Sequence, residues 1–368
     1  MTRAVVHRRR SLLRALLLLV ALPSSTEGTV MLTKDGLLEL NLMCNGEISL
    51  GTREGGLGVS RRNGFLRCGV GNTPGFARLD PATNTMAGFD VEYCRAVAAA
   101  IFGDANKVAY TQVSSTDRFD QLASGVFDLL SRTTTWTLSR DTDLNIVFAP
   151  TTFYDGQGIM VRSSSAVYTI AELNGKSICT TQGTTTEINL ATYFADKNLT
   201  YTEVAYVTAD EVRNAFFSGL CDAYTADSSA LAAVRAFEPK PEDYRILLET
   251  ISKEPLAPSV RRGDEDFFAI VKWAIFAMDI AEELGVTSRN VGDMRDNSSE
   301  PAVRLLLGAE GDRGTMLGLS NSWAYDIIEQ VGNYGEIFDR HLKPVGLERG
   351  LNAQWNAPVP GIRYAPPI

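Results

Sequence analysis

From Leu66 onward, short β-rich runs alternate with helical patterns, and that alternation limits the chain to α/β architectures with parallel-paired strands. The expected units are a strand over Leu66–Val70, a helix over Val91–Phe102, a strand over Val108–Val113, a helix over Asp117–Ser124 and a strand over Phe127–Ser131. A second set starts after Asp155-Gly156-Gln157-Gly158, with strands near Gly158–Val161, Ser177–Thr180, Glu203–Val207 and Asp222–Tyr224. The helices between these strands open on Thr184-Thr185-Thr186-Glu187 and Thr208-Ala209-Asp210-Glu211, which both fit the capping box. A return strand over Leu256–Arg261 then leads into a long helix from Asp264. At 368 residues the two sets exceed what one hydrophobic core organises, so two lobes are expected.

The N-terminus reads as a secretory leader. Arg3, His7, Arg8, Arg9 and Arg10 form a basic region before the apolar run from Leu12 to Leu22, which is too short to span a bilayer. Cleavage is expected between Pro23 and Gly28, which makes residues 1–26 the signal peptide, and the glycine-rich stretch over residues 27–63 reads as a flexible linker. The apolar segment from Phe267 to Leu284 is interrupted by Lys272, Asp279, Glu282 and Glu283 and should be a core helix.

Export places the five cysteines in an oxidising compartment. Two local bridges, Cys68–Cys94 and Cys179–Cys221, are then the economical pairing, with Cys44 left over; five buried free thiols are the alternative. With 35 basic against 44 acidic residues, the chain lacks the basic surface that nucleic acid requires. Its two histidines, His7 and His341, remove most His-based catalytic and zinc-ligating schemes. No metal site and no cofactor are expected.

Three segments that follow strands carry groups for binding. In Arg132-Thr133-Thr134-Thr135-Trp136-Thr137-Leu138-Ser139-Arg140, hydroxyls beside a guanidinium make a carboxylate receptor, although residue types alone favour a solvated turn. In Gln182-Gly183-Thr184-Thr185, a glycine lets the backbone approach a ligand and a helix start offers unpaired N–H donors. In Ala226-Asp227-Ser228-Ser229, Asp227 could accept from an ammonium group or cap the next helix, and by itself capping explains it better.

Taken together, these segments resemble the solute-binding proteins of amino-acid ABC transporters, most closely those for general L-amino acids. The likeness covers about 300 residues and runs through Gly64-Phe65-Leu66-Arg67-Cys68-Gly69-Val70, Gly88-Phe89-Asp90-Val91, Thr134-Thr135-Trp136-Thr137 with Arg140-Asp141, and Tyr154-Asp155-Gly156-Gln157-Gly158. It continues through Ser252-Lys253-Glu254-Pro255-Leu256 and Val331-Gly332-Asn333-Tyr334-Gly335-Glu336. The resemblance implies an α/β chain of the periplasmic binding protein type II fold, two α/β lobes joined by two hinge strands. Lobe 1 would be residues 64–157 and 261–368, lobe 2 the inserted residues 158–260, and the hinge strands Gly158–Val161 and Leu256–Val260.

By the same resemblance, Arg140 and the hydroxyls of Thr133 and Thr135 hold an α-carboxylate from lobe 1. Gly183 and Thr185 reach that group from lobe 2, and Asp227 accepts from the α-ammonium. Phe76 is similar to first-lobe residues that cover a ligand side chain, and equally reads as core. The family also tends to carry cysteine pairs like those proposed above. The implied function is capture of free L-amino acids, broad in side chain with polar and acidic ones included, by closure of a periplasmic monomer that delivers to an ABC permease, with no catalytic residue. The alternative from another class is a periplasmic dehydratase acting on arogenate- or prephenate-like substrates, which needs a poised carboxylate. Asp155 and Glu187 are the nearest such groups in sequence.

Overall fold

The computed structural model describes residues 55–81 and 83–368, together with the backbone of three short antiparallel strands, β1 (Thr29–Val30), β2 (Leu40–Leu42) and β3 (Ile48–Leu50). The leader, its cleavage point and Cys44 lie outside the described residues. The stretch read as a linker ends in a helix, α1 (Gly56–Asn63). Its glycine-rich sequence gives little helical signal; Gly56 packs on the Phe267 ring and donates its N–H to Asp264 Oδ2 at 2.5 Å.

Strand β4 (Leu66–Val70) opens the first lobe, followed by the hairpin β5 (Arg78–Asp80) and β6 (Thr85–Ala87), then α2 (Phe89–Phe102), β7 (Val108–Gln112), α3 (Arg118–Ser124), β8 (Leu129–Leu130), α4 (Leu138–Asp143) and β9 (Ile146–Phe148). The chain crosses through β10 (Phe153–Asp155) into β11 (Gln157–Arg162), β12 (Lys176–Thr181), α5 (Thr185–Asp196), β13 (Tyr201–Tyr206), α6 (Ala209–Phe217), β14 (Ala223–Asp227), α7 (Ser228–Ala236) and β15 (Tyr244–Ile246). It returns through β16 (Glu254–Leu256) to β17 (Ser259–Arg261) and the long α8 (Glu265–Glu283). Five shorter helices finish it: α9 (Val291–Asn297), α10 (Pro301–Leu306), α11 (Arg313–Met316), α12 (Trp323–Gln330) and α13 (Tyr334–His341).

Two five-stranded sheets result, in the orders β7-β4-β8-β17-β9 and β13-β12-β14-β11-β15. Helical crossovers produce the parallel pairs, β4 with β7 and β8, and β12 with β13 and β14. The strand that enters each sheet from the crossing is antiparallel to both neighbours, β17 in the first and β11 in the second. The crossing itself is the antiparallel ribbon β10–β16, in which Phe153 faces Leu256 and Asp155 faces Glu254. The strands implied as hinges, Gly158–Val161 and Leu256–Val260, lie at and just beyond this ribbon.

Period-two alternation buries the inner strands of the second sheet, β12, β14 and β11, on both faces. Ile159 and Val161 of β11 pack with Leu190 and Phe194 of α5, while Met160 between them packs with Val212 and Phe216 of α6. Cys179 and Cys221 are bridged in that second core, with Cα atoms 5.8 Å apart, and Cys68 and Cys94 in the first lobe, 6.2 Å apart. Helix α8 is core, and Ile270, Ala274, Ala277 and Ala281 are all buried on it. Among the described residues no helix is long and apolar enough to cross a membrane. Phe76 belongs to this first-lobe core: it is fully buried, edge-on to Phe89 at 6.0 Å and to Phe153 at 5.5 Å, and so is placed to cover no ligand.

Candidate ligand-binding cleft

The first lobe presents its polar groups on the loop after β8, and backbone contacts set the shape of that loop. Thr133 sits at φ 32°, a left-handed conformation unusual for a β-branched residue, with its N–H held by Asp90 Oδ2 at 2.8 Å. Thr134 O accepts from Ala257 N and Trp136 N donates to Pro255 O, each at 2.9 Å, so the loop is stitched to the returning chain. Thr137 caps α4 by accepting from Arg140 N at 3.3 Å. The Arg140 side chain turns back, and its Nη1 donates to Thr135 O at 2.9 Å.

The second lobe brings two strand ends to the same place. After β12 the chain turns at Gly183, φ 69°, where a side chain would be strained, and enters α5. Thr184 Oγ1 accepts from Glu187 N at 3.3 Å, but the Glu187 carboxylate accepts from Gly183 N at 3.0 Å, one residue earlier than a capping box requires. At α6 the box is complete, between Thr208 and Glu211. Strand β14 ends on Asp227.

One cavity gathers these groups. Arg118, Arg132, Thr133, Thr135 and Arg140 line it from the first lobe, and Thr181, Thr184, Thr185, Tyr224 and Asp227 from the second. Five residues singled out in the sequence, Arg140, Thr133, Thr135, Thr185 and Asp227, therefore meet there. Gly183 abuts Thr116 of the opposite lobe instead, and its carbonyl accepts from Arg118 Nη2 at 3.4 Å. Asp155 also lies off the cavity wall, with Oδ1 accepting from Gly156 N at 2.8 Å and Oδ2 from Ser229 N at 3.2 Å.

Three residues absent from the sequence-derived site complete it. Arg118 opens α3 directly beyond β7, the end of a parallel strand where ligands collect, and that position was the available signal. Its side chain is buried with Nε unpartnered and lies over the Phe119 ring at 4.7 Å, the ring that Arg140 also approaches at 5.3 Å. Arg132 donates to Val113 O at 3.0 Å and to Ser115 Oγ at 2.9 Å. Glu254, on the ribbon, accepts at one carboxylate oxygen from Thr135 Oγ1 at 2.5 Å and Thr185 Oγ1 at 3.0 Å, and at the other from Asn189 Nδ2 at 2.8 Å and Ser252 Oγ at 2.5 Å. Nothing in the local sequence around Glu254 marks that convergence, because its partners lie up to 119 residues away.

Low solvent access dominates the electrostatics. Burial, reinforced by the carboxylates of Asp155 and Glu254, pushes Asp227 well above the usual carboxylate range, against the pull of Arg118 and Arg140. Burial likewise raises Asp155 to about 6 and Asp90 to about 7. On the cationic side, burial lowers Arg140, lowers Arg118 well below the ordinary range and brings Arg132 to about 10. The cavity wall thus sets the guanidinium groups of Arg118, Arg132 and Arg140 against the single carboxyl of Asp227, which suits a small zwitterion. Among the described residues no group of His, Cys, Asp or Glu could hold a metal ion.

Residues 66–289 match the model of the bacterial extracellular solute-binding proteins, family 3. The chain belongs to that family. This family 3 protein is 50% identical over 315 residues to the general L-amino acid-binding periplasmic protein AapJ of Rhizobium johnstonii, covering 84% of this chain and 91% of the relative. It is 46% identical over 312 residues to the glutamate/glutamine/aspartate/asparagine-binding protein BztA of Rhodobacter capsulatus, again 84% of this chain and 91% of the relative. A solved periplasmic binding protein from Brucella ovis with glutathione bound matches at a TM-score of 0.82 and 45% identity, over 86% of this chain and 99% of that one. The family 3 protein shares the two-lobed periplasmic binding protein fold of that structure.

Proposed function

We propose that the protein captures free L-amino acids in the cleft between its lobes, in the periplasm after removal of its leader, and as a monomer delivers them to the permease of an ABC transporter. The observation that carries this reading is one cavity in which arginines from the first lobe face Asp227 from the second. A zwitterion bound there touches both lobes, so it stabilises their closed arrangement over any open one. The names of AapJ and BztA support the amino-acid class. Arg118 and Arg132 exceed what one α-carboxylate needs, and this favours polar and acidic side chains within a broad range. Binding without chemistry is the whole of the proposed activity.

Arg140→Ala is expected to weaken amino-acid binding by roughly thirtyfold or more, since truncating one partner of a desolvated charge pair costs roughly 2–5 kcal/mol, while the fold persists. Calorimetry showing near-native affinity in that variant would remove Arg140 from the site. A thermal-shift screen of the twenty amino acids tests the wider claim: stabilisation by many supports it, and stabilisation by none refutes it.

A further inference from the structure

We propose that Arg78 of the first lobe and Phe237 of the second form a latch outside the ligand cavity, one that favours the closed lobes and so raises affinity for every amino acid by the same factor; this rests on the amino-acid reading above. The Arg78 guanidinium lies over the Phe237 ring, 5.4 Å from its centroid. A cation in that place is attracted by the charge distribution of the ring. Both residues are exposed and neither lines the cavity. Each is nonetheless firmly placed. Arg78 opens β5, directly after the buried Phe76 and Ala77, and pairs with Ala87 of β6. Phe237 closes α7.

The pair is far enough from the ribbon to depend on closure. Helix α7 starts at the ribbon, where Ser229 N donates to Asp155 Oδ2 at 3.2 Å, and a helical rise carries Phe237 about 12 Å from there. Opening about the ribbon moves the end of that lever more than its base, and so draws the ring away from the guanidinium. A second contact crosses the cleft nearby. Asn72 Nδ2 donates to Asp210 Oδ2 at 2.9 Å, and each of these residues adjoins one that lines the cavity, Thr73 and Ala209. Arg213, one turn further along α6, forms an ion pair with Asp210. Burial lowers Arg213, an effect that Tyr224 and Glu238 oppose and Arg78 adds to. Arg78 therefore meets a rim that carries two acids beside its one arginine, so its charge is not set against Arg213 alone.

Contacts that involve no ligand atom contribute the same amount whatever the ligand. When only one of two states binds, apparent affinity scales with the fraction of protein in that state, and the latch raises the fraction. Residues on the cavity wall choose among amino acids; Arg78 and Phe237 set the strength common to all of them.

The test measures L-glutamate and L-glutamine binding by calorimetry, and their release by stopped flow, on the wild type, Arg78→Ala, Phe237→Ala and the double variant. Each single variant is expected to weaken both ligands by one shared factor, roughly two- to fivefold, mostly through faster release. The double variant should lose no more than either single one, because all three break the same contact. Arg78→Lys keeps a cation over the ring and is expected to lose less than Arg78→Ala. Single variants at wild-type affinity, unequal factors for the two ligands, or a double variant that loses the product of the single losses would each overturn the latch while leaving the amino-acid reading intact. A wild type that binds no amino acid defeats that reading and the latch together.

Discussion

Asp227 ends β14 inside a cavity it shares with Arg118 and Arg140, yet burial and the nearby carboxylates of Asp155 and Glu254 hold its proton on more firmly than those arginines loosen it. A ligand ammonium reverses that balance, because an adjacent cation favours the carboxylate. Binding should therefore expel a proton, and affinity for an amino acid should rise with pH as Asp227 ionises in the free protein. Calorimetry in buffers of different ionisation enthalpy measures the proton released; Asp227→Asn is expected to abolish the release along with most of the affinity, and a wild-type heat independent of buffer would contradict it. Residue types alone favoured a helix cap for Asp227 and a solvated turn for Arg140, and it was the family resemblance that assigned both to the site. Glu254 went unassigned, because its importance lies in four donors brought to it from Thr135, Thr185, Asn189 and Ser252 by the closed fold.

At the scale of elements, the alternation of short β-rich runs with helical patterns foretold both sheets. What it could not foretell is the direction of β11 and β17, whose antiparallel placement follows from where the chain crosses. Helix α1 escaped for a related reason, as its order derives from Phe267 and Asp264, some 200 residues later. The Cys179–Cys221 bridge illustrates an element-scale constraint that the sequence did suggest. It ties β12 to the start of β14 across a separation of 42 residues, inside the core that holds Val212 and Phe216. Closing a loop of that size should contribute roughly 3–4 kcal/mol by restricting the unfolded chain. Replacing both cysteines by Ala should lower the denaturation midpoint accordingly under non-reducing conditions, and a midpoint equal to that of the wild type would show that the bridge adds nothing.

The whole molecule depends on how the crossing ribbon is anchored, and the anchor comes from the end of the chain, beyond residues 66–289 of the family match. Asn352 brackets Tyr154 of β10, accepting from its N at 2.7 Å and donating to its O at 3.0 Å. Arg363 donates to Thr152 O at 2.9 Å and forms a two-pronged pair with Asp279 of α8, at 2.8 and 2.6 Å. One residue further on, Asp155 is bound instead to Ser229 of the second lobe. The grip from this end of the chain therefore stops at Tyr154. Both members of the Arg363–Asp279 pair are almost wholly buried, so removing the arginine strands a carboxylate in the core. Arg363→Ala should cost about 3–5 kcal/mol in unfolding free energy, whereas Asp279→Asn combined with Arg363→Met, which removes both charges at similar volume, should restore much of it. Urea unfolding monitored by tryptophan fluorescence decides between a buried pair that holds the ribbon and an incidental one: a single variant within about 0.5 kcal/mol of wild type would place the anchor elsewhere.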